Sequence, residues 1–583
     1  MKIILLPFCL IALAGCGSRE TPPAEPKTAG VKRAEAPRFR DATAEAGLNF
    51  QHFTGATGEF YFPEMVGPGV ALFDYDGDGD LDVYLTQGNF LDPSKTMADA
   101  KFPMPAGWNP GNRLFRNELI PQGRLHFTDV TTQAGVGYVG YGMGVAVGDY
   151  DNDGRPDLYV TNFEHNVLYH NTGDGTFTDV TARAGVDDGM WSTSAAFVDY
   201  DRDGDLDLFV VHYVEFTRKG NPRCTGVVGQ RDYCGPQVFQ PLSARLYRND
   251  GSGKFTDVTA RAGLPTAFGA GLGVVCADFD GDGWPDVYVA NDGNANQLWR
   301  NKKNGTFEDI ALSSGVAFSA DGKPQAGMGV SAGDFDNDGD EDLFVTNLTT
   351  ETNNLFVNDG KGIFRDAIME YGMAASSLRM TGFGAEFFDF DNDGFLDLFV
   401  ANGAVFAPAS LRGRPYPYDQ KNQLFRNLMG KKFEDLTESS GPVFQLSEVG
   451  RGAAFGDMDN DGDIDIVVSN NNGPTRLVLN EIGSRLPSLS VELKGVKNNR
   501  MGIGARVGLV RQGRPIVWRR AHTDGSYLTA NDIRVHFGLG AEPPVDSLAV
   551  IWPNGRSEVW KRLEGTTRIL LREGTGSPFQ EKR

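Results

Sequence analysis

The chain has 583 residues, 40% of them hydrophobic and 11% aromatic, enough to bury a large core. A net charge of −22 makes it a poor partner for nucleic acid. Its seven histidines form no HExxH or CxxCH pattern, and no Ser/His/acid set stands in a recognisable motif.

Residues 1–15 read as an export signal: one lysine, then an apolar run over residues 3–14, too short to span a bilayer. The run ends Leu13-Ala14-Gly15-Cys16, which resembles the bacterial lipoprotein lipobox. The resemblance implies cleavage before Cys16 and lipid attachment to it, the alternative being an ordinary cleaved signal with an incidental cysteine. Residue 17 is Gly rather than Asp, so retention at the inner membrane is not signalled, and an outer-membrane location on the periplasmic or surface side is expected. Residues 16–36 are rich in Pro, Ala, Thr and charge and read as a flexible tether. Export implies an oxidising compartment, where the neighbouring Cys224 and Cys234 are the expected disulfide. Cys276 reads as a small buried apolar residue.

From residue 37 to residue 483 one unit repeats. Its anchor is a nine-residue loop with Asp at positions 1, 3, 5 and 9 and Gly at position 6. The seven copies place these aspartates at Asp74, Asp76, Asp78 and Asp82; Asp149, Asp151, Asp153 and Asp157; Asp199, Asp201, Asp203 and Asp207; Asp278, Asp280, Asp282 and Asp286; Asp334, Asp336, Asp338 and Asp342; Asp389, Asp391, Asp393 and Asp397; and Asp457, Asp459, Asp461 and Asp465. Alternate side chains of a tight loop converge on one point, and Ca²⁺ takes six to eight oxygens from such a loop. One acidic turn would be ordinary turn chemistry. Seven with the ninth-position Asp always present point to as many as seven Ca²⁺ sites. These are not EF-hands, which need a bidentate Glu at position 12 and flanking helices. Position 12 here is Leu or Val, inside apolar segments of strand composition such as Leu158-Tyr159-Val160.

Around each loop the unit supplies four short strands. In the second copy these are 144–148, 157–160, 166–171 and 177–181. Four strands in each of seven units predict an all-β, seven-bladed β-propeller whose small, Gly-rich first strands crowd a central channel. The last unit stops after its third strand, and a fourth-strand signature, Phe39-Arg40-Asp41-Ala42-Thr43, stands at the start of the chain. The N-terminal strand should therefore complete the last blade and remove an exposed edge. Long insertions at 87–111, 212–243 and 402–421 fall between second and third strands, so they should occupy the face opposite the acidic loops.

Residues 484–575 lack the repeat and read as a small separate β domain, with 576–583 as a tail. Residues 484–583 hold 17 Lys/Arg against 9 Asp/Glu, a charge suited to docking on the acidic ring.

The repeats resemble the FG-GAP/VCBS repeats of integrin α-subunit propellers. Asn499-Arg500-Met501-Gly502-Ile503-Gly504-Ala505-Arg506, Gly525-Ser526-Tyr527-Leu528, His536-Phe537-Gly538-Leu539-Gly540 and Trp552-Pro553-Asn554-Gly555-Arg556 resemble the ASPIC/UnbV domain. Together they resemble the CRTAC1-like family over nearly all of the mature chain. The resemblance implies an extracytoplasmic, calcium-stabilised protein of binding or adhesion type, with no established reaction. Integrins carry the loop in only some blades; here every blade has one.

Three further groups stand out. His212, Tyr213, Arg218, Arg223, Tyr233, Phe406, Arg412, Arg414, Tyr416 and Tyr418 lie in the insertions and suit either an unknown protein or glycan partner or self-packing of the loops. Glu386 replaces an Ala of other inner strands and reads as a solvated carboxylate in the channel. Arg500, Arg506, Arg519, Arg520 and His522 read as a solvated face or a contact with the acidic ring, the alternative being a site for an anionic ligand. No catalytic residue and no organic cofactor is assigned, and the membrane is met only through the anchor. The reading is a lipid-anchored, calcium-binding protein presenting an interaction face. Its alternatives are an exported enzyme with its site at the channel mouth and a structural subunit of a surface assembly.

Overall fold

The second repeat shows why each unit folds as it does. Strands Gly142–Gly148, Asp157–Asn162, Val167–Asn171 and Phe177–Asp179 pair antiparallel in that order. The acidic loop forms the hairpin between the first two. After the fourth strand, Asp179 accepts hydrogen bonds from the Thr181 backbone N and hydroxyl, which starts a single helical turn, Thr181–Ala184. Gly185, at φ 79°, ends it, a conformation that only glycine adopts without strain. The Thr181 hydroxyl also accepts from Leu168 N, tying the turn back to the third strand.

The computed structural model describes residues 39–104, 108–226, 229–406, 416–541, 544–561 and 567–579. The stretches read as an export signal and a tether, Cys16 among them, and Arg412 and Arg414 lie outside them. Among the described residues there are seven four-stranded antiparallel sheets of this kind, here called blades one to seven in chain order of their loops. The first strand of each blade packs against that of the next, and the first strand of blade seven packs against that of blade one, which closes a β-propeller ring. Blade seven takes its fourth strand from the chain start: Phe39–Asp41 pairs with Arg476–Asn480. No blade is left with an unpaired third strand.

Residues 484–579 form their own two sheets and pack on the ring. Pro37–Arg583 form one compact unit. The C-terminal part holds a three-stranded sheet (Val535–Gly538, Ser488–Lys494, Arg568–Arg572) and a five-stranded one. Part of the stretch read as a tail is paired. Ser577–Pro578 pairs with the sheet-edge strand Ser557–Lys561, which would otherwise leave its backbone groups open.

The connection between Val517–Arg520 and Val535–Gly538 does not stay in this domain. It enters the bore of the ring and touches all seven blades. The Thr523 hydroxyl donates to Val147 O at 2.9 Å in blade two, and Asp524 accepts from Cys276 N at 2.7 Å in blade four. Ser526 accepts from Val330 N in blade five and donates to Ala453 O in blade seven. Leu528 N donates to the Ser194 hydroxyl in blade three. Ala530 exchanges backbone bonds with Val70 and Leu72 in blade one. Asn531 donates to Glu386 in blade six. This explains the small inner strands. A Cβ on Gly69 would collide with the Leu528 carbonyl oxygen, and one on Gly329 would approach that of Ser526. Glu386 is accordingly not a solvated channel carboxylate. It is buried, bonded to Ser331 and Asn531, and its carboxyl is pushed up to about 7 by burial.

Candidate metal centre

The seven acidic loops share one conformation. Position 4 is left-handed in all of them: Gly77, Asn152, Arg202, Gly281, Asn337, Asn392 and Asn460 have φ between 55° and 78°. Gly or Asn at six of these seven positions is a sequence signal that reading positions 1, 3, 5, 6 and 9 passed over. The position-1 Asp folds the loop around itself: Asp149 accepts from Asp153 N and Gly154 N, and Asp389 from Asp393 N and Gly394 N.

Position 9 ties the loop to the third strand. Asp82, Asp157, Asp207, Asp286, Asp342, Asp397 and Asp465 each accept from the backbone N of the Asn that ends that strand, at 2.7–2.9 Å. That Asn in turn reaches the neighbouring blade. Asn171 donates to Tyr75 O, Asn249 to Tyr150 O, Asn301 to Tyr200 O and Asn358 to Phe279 O. Asn427 donates to Phe335 O, Asn480 to Phe390 O and Asn117 to Met458 O, which completes the circle. Each acceptor is position 2 of the preceding loop. The recurring position-9 Asp and strand-ending Asn thus serve a belt of inter-blade bonds, although 14 to 42 residues separate the two. Asn358→Ala is expected to destabilise the fold by about 1–3 kcal/mol, because it strands the buried Phe279 carbonyl. A urea midpoint equal to that of the parent chain would rule the belt out as a stabilising device.

The loop carboxylates also converge. One oxygen from each of Asp74, Asp76 and Asp78, of Asp199, Asp201 and Asp203, and of Asp278, Asp280 and Asp282 lies within 4.8 Å of the others. Asp149, Asp151 and Asp157 do the same. Two oxygens on one Ca²⁺, each at roughly 2.3–2.6 Å, stand no further apart than about 5 Å. The position-3 Oδ1 is buried without a hydrogen-bond partner in five loops, at Asp151, Asp201, Asp336, Asp391 and Asp459. Hard oxygen donors, convergent and partly unsatisfied, fit a divalent cation.

Burial, with the neighbouring carboxylates adding to it, pushes the Asp286 carboxyl up to about 8 and Asp157, Asp149 and Asp457 to about 7. In four loops a basic side chain stands against a position-3 or position-5 carboxylate, Lys303 meeting Asp282 at 2.9 Å. Arg248 pairs with Asp201 at 2.7 Å, Arg426 with Asp391 at 2.7 Å, and His170 with Asp151 at 3.2 Å.

The C-terminal domain sits on this face, and its basic residues meet the loops through backbone oxygens and asparagines. Arg500 donates to Asn152 O, Arg506 to Gly339 O, and Arg519 to Asp334 O and Asn337 Oδ1. Arg520 is the exception, pairing with the carboxylates Glu341 and Asp524; His522 pairs with Asp524 at 3.2 Å. None of these bonds uses a side chain at loop position 1, 3, 5 or 9, so they leave those oxygens to the loops. A cavity of about 840 Å³ remains between domain and loops, lined among others by Asp199, Asp278, Asp340, Trp518 and Trp552.

On the opposite face the insertions pack on one another. Tyr213, Tyr233 and Tyr418 are buried, and His212 is buried against Asp188. Tyr233 donates to Glu64, Arg218 pairs with Glu164, and Tyr416 bonds Asn471 and packs edge-on against Tyr418. Cys224 and Cys234 form a disulfide, and Cys276 is free and buried. Arg223 and Phe406 stay exposed.

Comparison with known proteins agrees with this architecture. The FG-GAP-like repeat model matches residues 149–210, 238–289, 278–345 and 334–400, and the ASPIC and UnbV model matches residues 495–578. Cartilage acidic protein 1 of Xenopus tropicalis is 26% identical over 87% of this chain and 74% of its own length. The Mus musculus protein of that name is 30% identical over 52% of this chain and 44% of its own length. Among solved structures, the BP39L lectin from Burkholderia pseudomallei aligns at a TM-score of 0.41 and 11% identity, over 72% of this chain and 97% of that one, a likeness that carries no argument. The repeats, the C-terminal domain and these relatives show that the chain belongs to the CRTAC1-like family, in which FG-GAP repeats are joined to an ASPIC/UnbV domain.

Proposed function

We propose that this protein is an exported, lipid-anchored, calcium-binding propeller of binding or adhesion type at the cell envelope. The observation that carries the metal is the position-3 oxygen left buried and unpartnered in loop after loop. Positions 1, 3, 5 and 9 would hold the ion, whose charge would replace the repulsion among clustered carboxylates. Loops without a basic side chain against their carboxylates would bind first. Anchoring rests on Cys16 at the end of the apolar leader. Among the described residues no helix is long and apolar enough to cross a membrane. The insertion face is the proposed partner surface, with a protein or glycan as its ligand, since Val238 and Phe406 are exposed there while the surrounding aromatics form a rigid base.

Calcium titration into chelator-treated, dialysed protein tests the metal. Uptake of several ions per chain is expected, and no uptake at millimolar calcium would overturn it. Cys16→Ser should move the protein from the membrane to the soluble fraction; unchanged fractionation would remove the anchor from the reading.

A further inference from the structure

Where the bore reaches the insertion face it ends in a cavity of about 130 Å³. That is close to the roughly 150 Å³ at which an apolar protein cavity takes up benzene. Six rings line it: Phe62, Tyr213, Tyr233, Phe383, Phe406 and Tyr527. Among the described residues its one charged lining residue is Asp292. The Tyr213 hydroxyl donates to Asp292 Oδ2 at 2.5 Å, while Asp292 Oδ1 is buried with no partner among the described residues. Glu64 lies beside the lining residue Met65 and accepts from the lining Tyr233 hydroxyl at 2.7 Å; its Oε1 is likewise buried and unpartnered. A buried cation close by, Arg451, lies over the Phe383 ring at 3.9 Å and directs its Nε and Nη1 to the carbonyls of Met65, Gly403 and Gly450.

A purely apolar guest would fill the space and leave the carboxylate oxygen unanswered, which costs about 1–3 kcal/mol for a buried acceptor. A guest with a charged N–H head and a short alkyl body answers both features: the head meets Asp292 Oδ1, and the aromatic faces stabilise the positive charge. We propose that this cavity is a binding site for a small protonated alkylamine. Burial holds the Asp292 carboxyl at about 6, so it is ionised at neutral pH. Tyr527 belongs to the segment that fills the bore, so the cavity is complete only when that segment is seated. The site lies on the face away from the acidic loops and does not depend on metal.

The test uses the full chain in saturating calcium and two probes of equal size, n-butylammonium and n-butanol, followed by ligand-observed NMR. Both can donate a hydrogen bond; only one is charged. The ammonium is expected to bind at least tenfold more tightly than the alcohol. Asp292→Asn should remove most of that difference and leave the alcohol unchanged. Equal affinity for the two probes, or no binding of the ammonium in the native chain, overturns the proposal. So does an unchanged ratio in the variant. If Asp292→Asn does not fold, the comparison of probes on the native chain decides alone.

Discussion

A chain cut after residue 487 is expected to melt far below the full-length protein, and Leu528→Ala alone is expected to cost about 2–5 kcal/mol. Leu528 is fully buried in the bore, and its carbonyl accepts from Val145 N while its N donates to Ser194. Removing the segment strips the inner strands of hydrogen-bond partners in all seven blades at once, and unpaired buried groups are costly. Ser526 and Leu528 also sit at φ 55° and 57°, a conformation that non-glycine residues hold only where their surroundings force it. The single substitution separates this idea from a general failure of the truncated chain to fold. Urea unfolding of Leu528→Ala with the parent midpoint would mean that the bore segment is an ornament rather than a core element.

Stripping calcium is expected to have an effect of comparable size. An ion present at ten times its dissociation constant stabilises by about 1.4 kcal/mol per site, so seven independent sites would give about 10 kcal/mol, as much as a typical domain's whole stability. The melting temperature should fall in chelator and return with millimolar calcium. The pH dependence carries a sign. Asp149, Asp157, Asp286 and Asp457 have folded-state pKa values of about 7 to 8, above their unfolded values near 4. The metal-free folded state therefore binds more protons than the unfolded one. Its stability is greatest in acid and falls as pH rises from about 4 to about 8. Calcium competes with those protons, so its stabilisation should be larger at pH 8 than at pH 5. Melting curves at both pH values, with and without chelator, check all of this. Coincident curves would refute metal coupling, and a metal-free protein that is more stable at pH 8 would refute the assignment of these carboxyls.

The insertion face illustrates how the same residues served two readings. Arg, Tyr and His in long loops suit a partner surface. Here Tyr233, Tyr418, His212 and Arg218 each find a neighbour within the protein. Sequence distance hid this, because Tyr233 meets Glu64 across 169 residues.

What the sequence determined by itself was everything with a short period. The nine-residue loop, the strand pairs beside it and the Phe-x-Asp closing signature are local patterns. Repetition made them legible, and even the chain-end exchange could be read, because one missing strand at the end matched one spare strand at the start. What only the tertiary structure decided was the content of the bore and the bonds between blades. Residues 523–531 carry no periodicity that announces burial; they are buried because seven inner strands surround a space that must be filled. Asn171 and its six counterparts end an ordinary strand in sequence, and only the ring places a neighbour's carbonyl beside each. Local chemistry writes the blades, while closure assigns the partners that no blade can supply for itself.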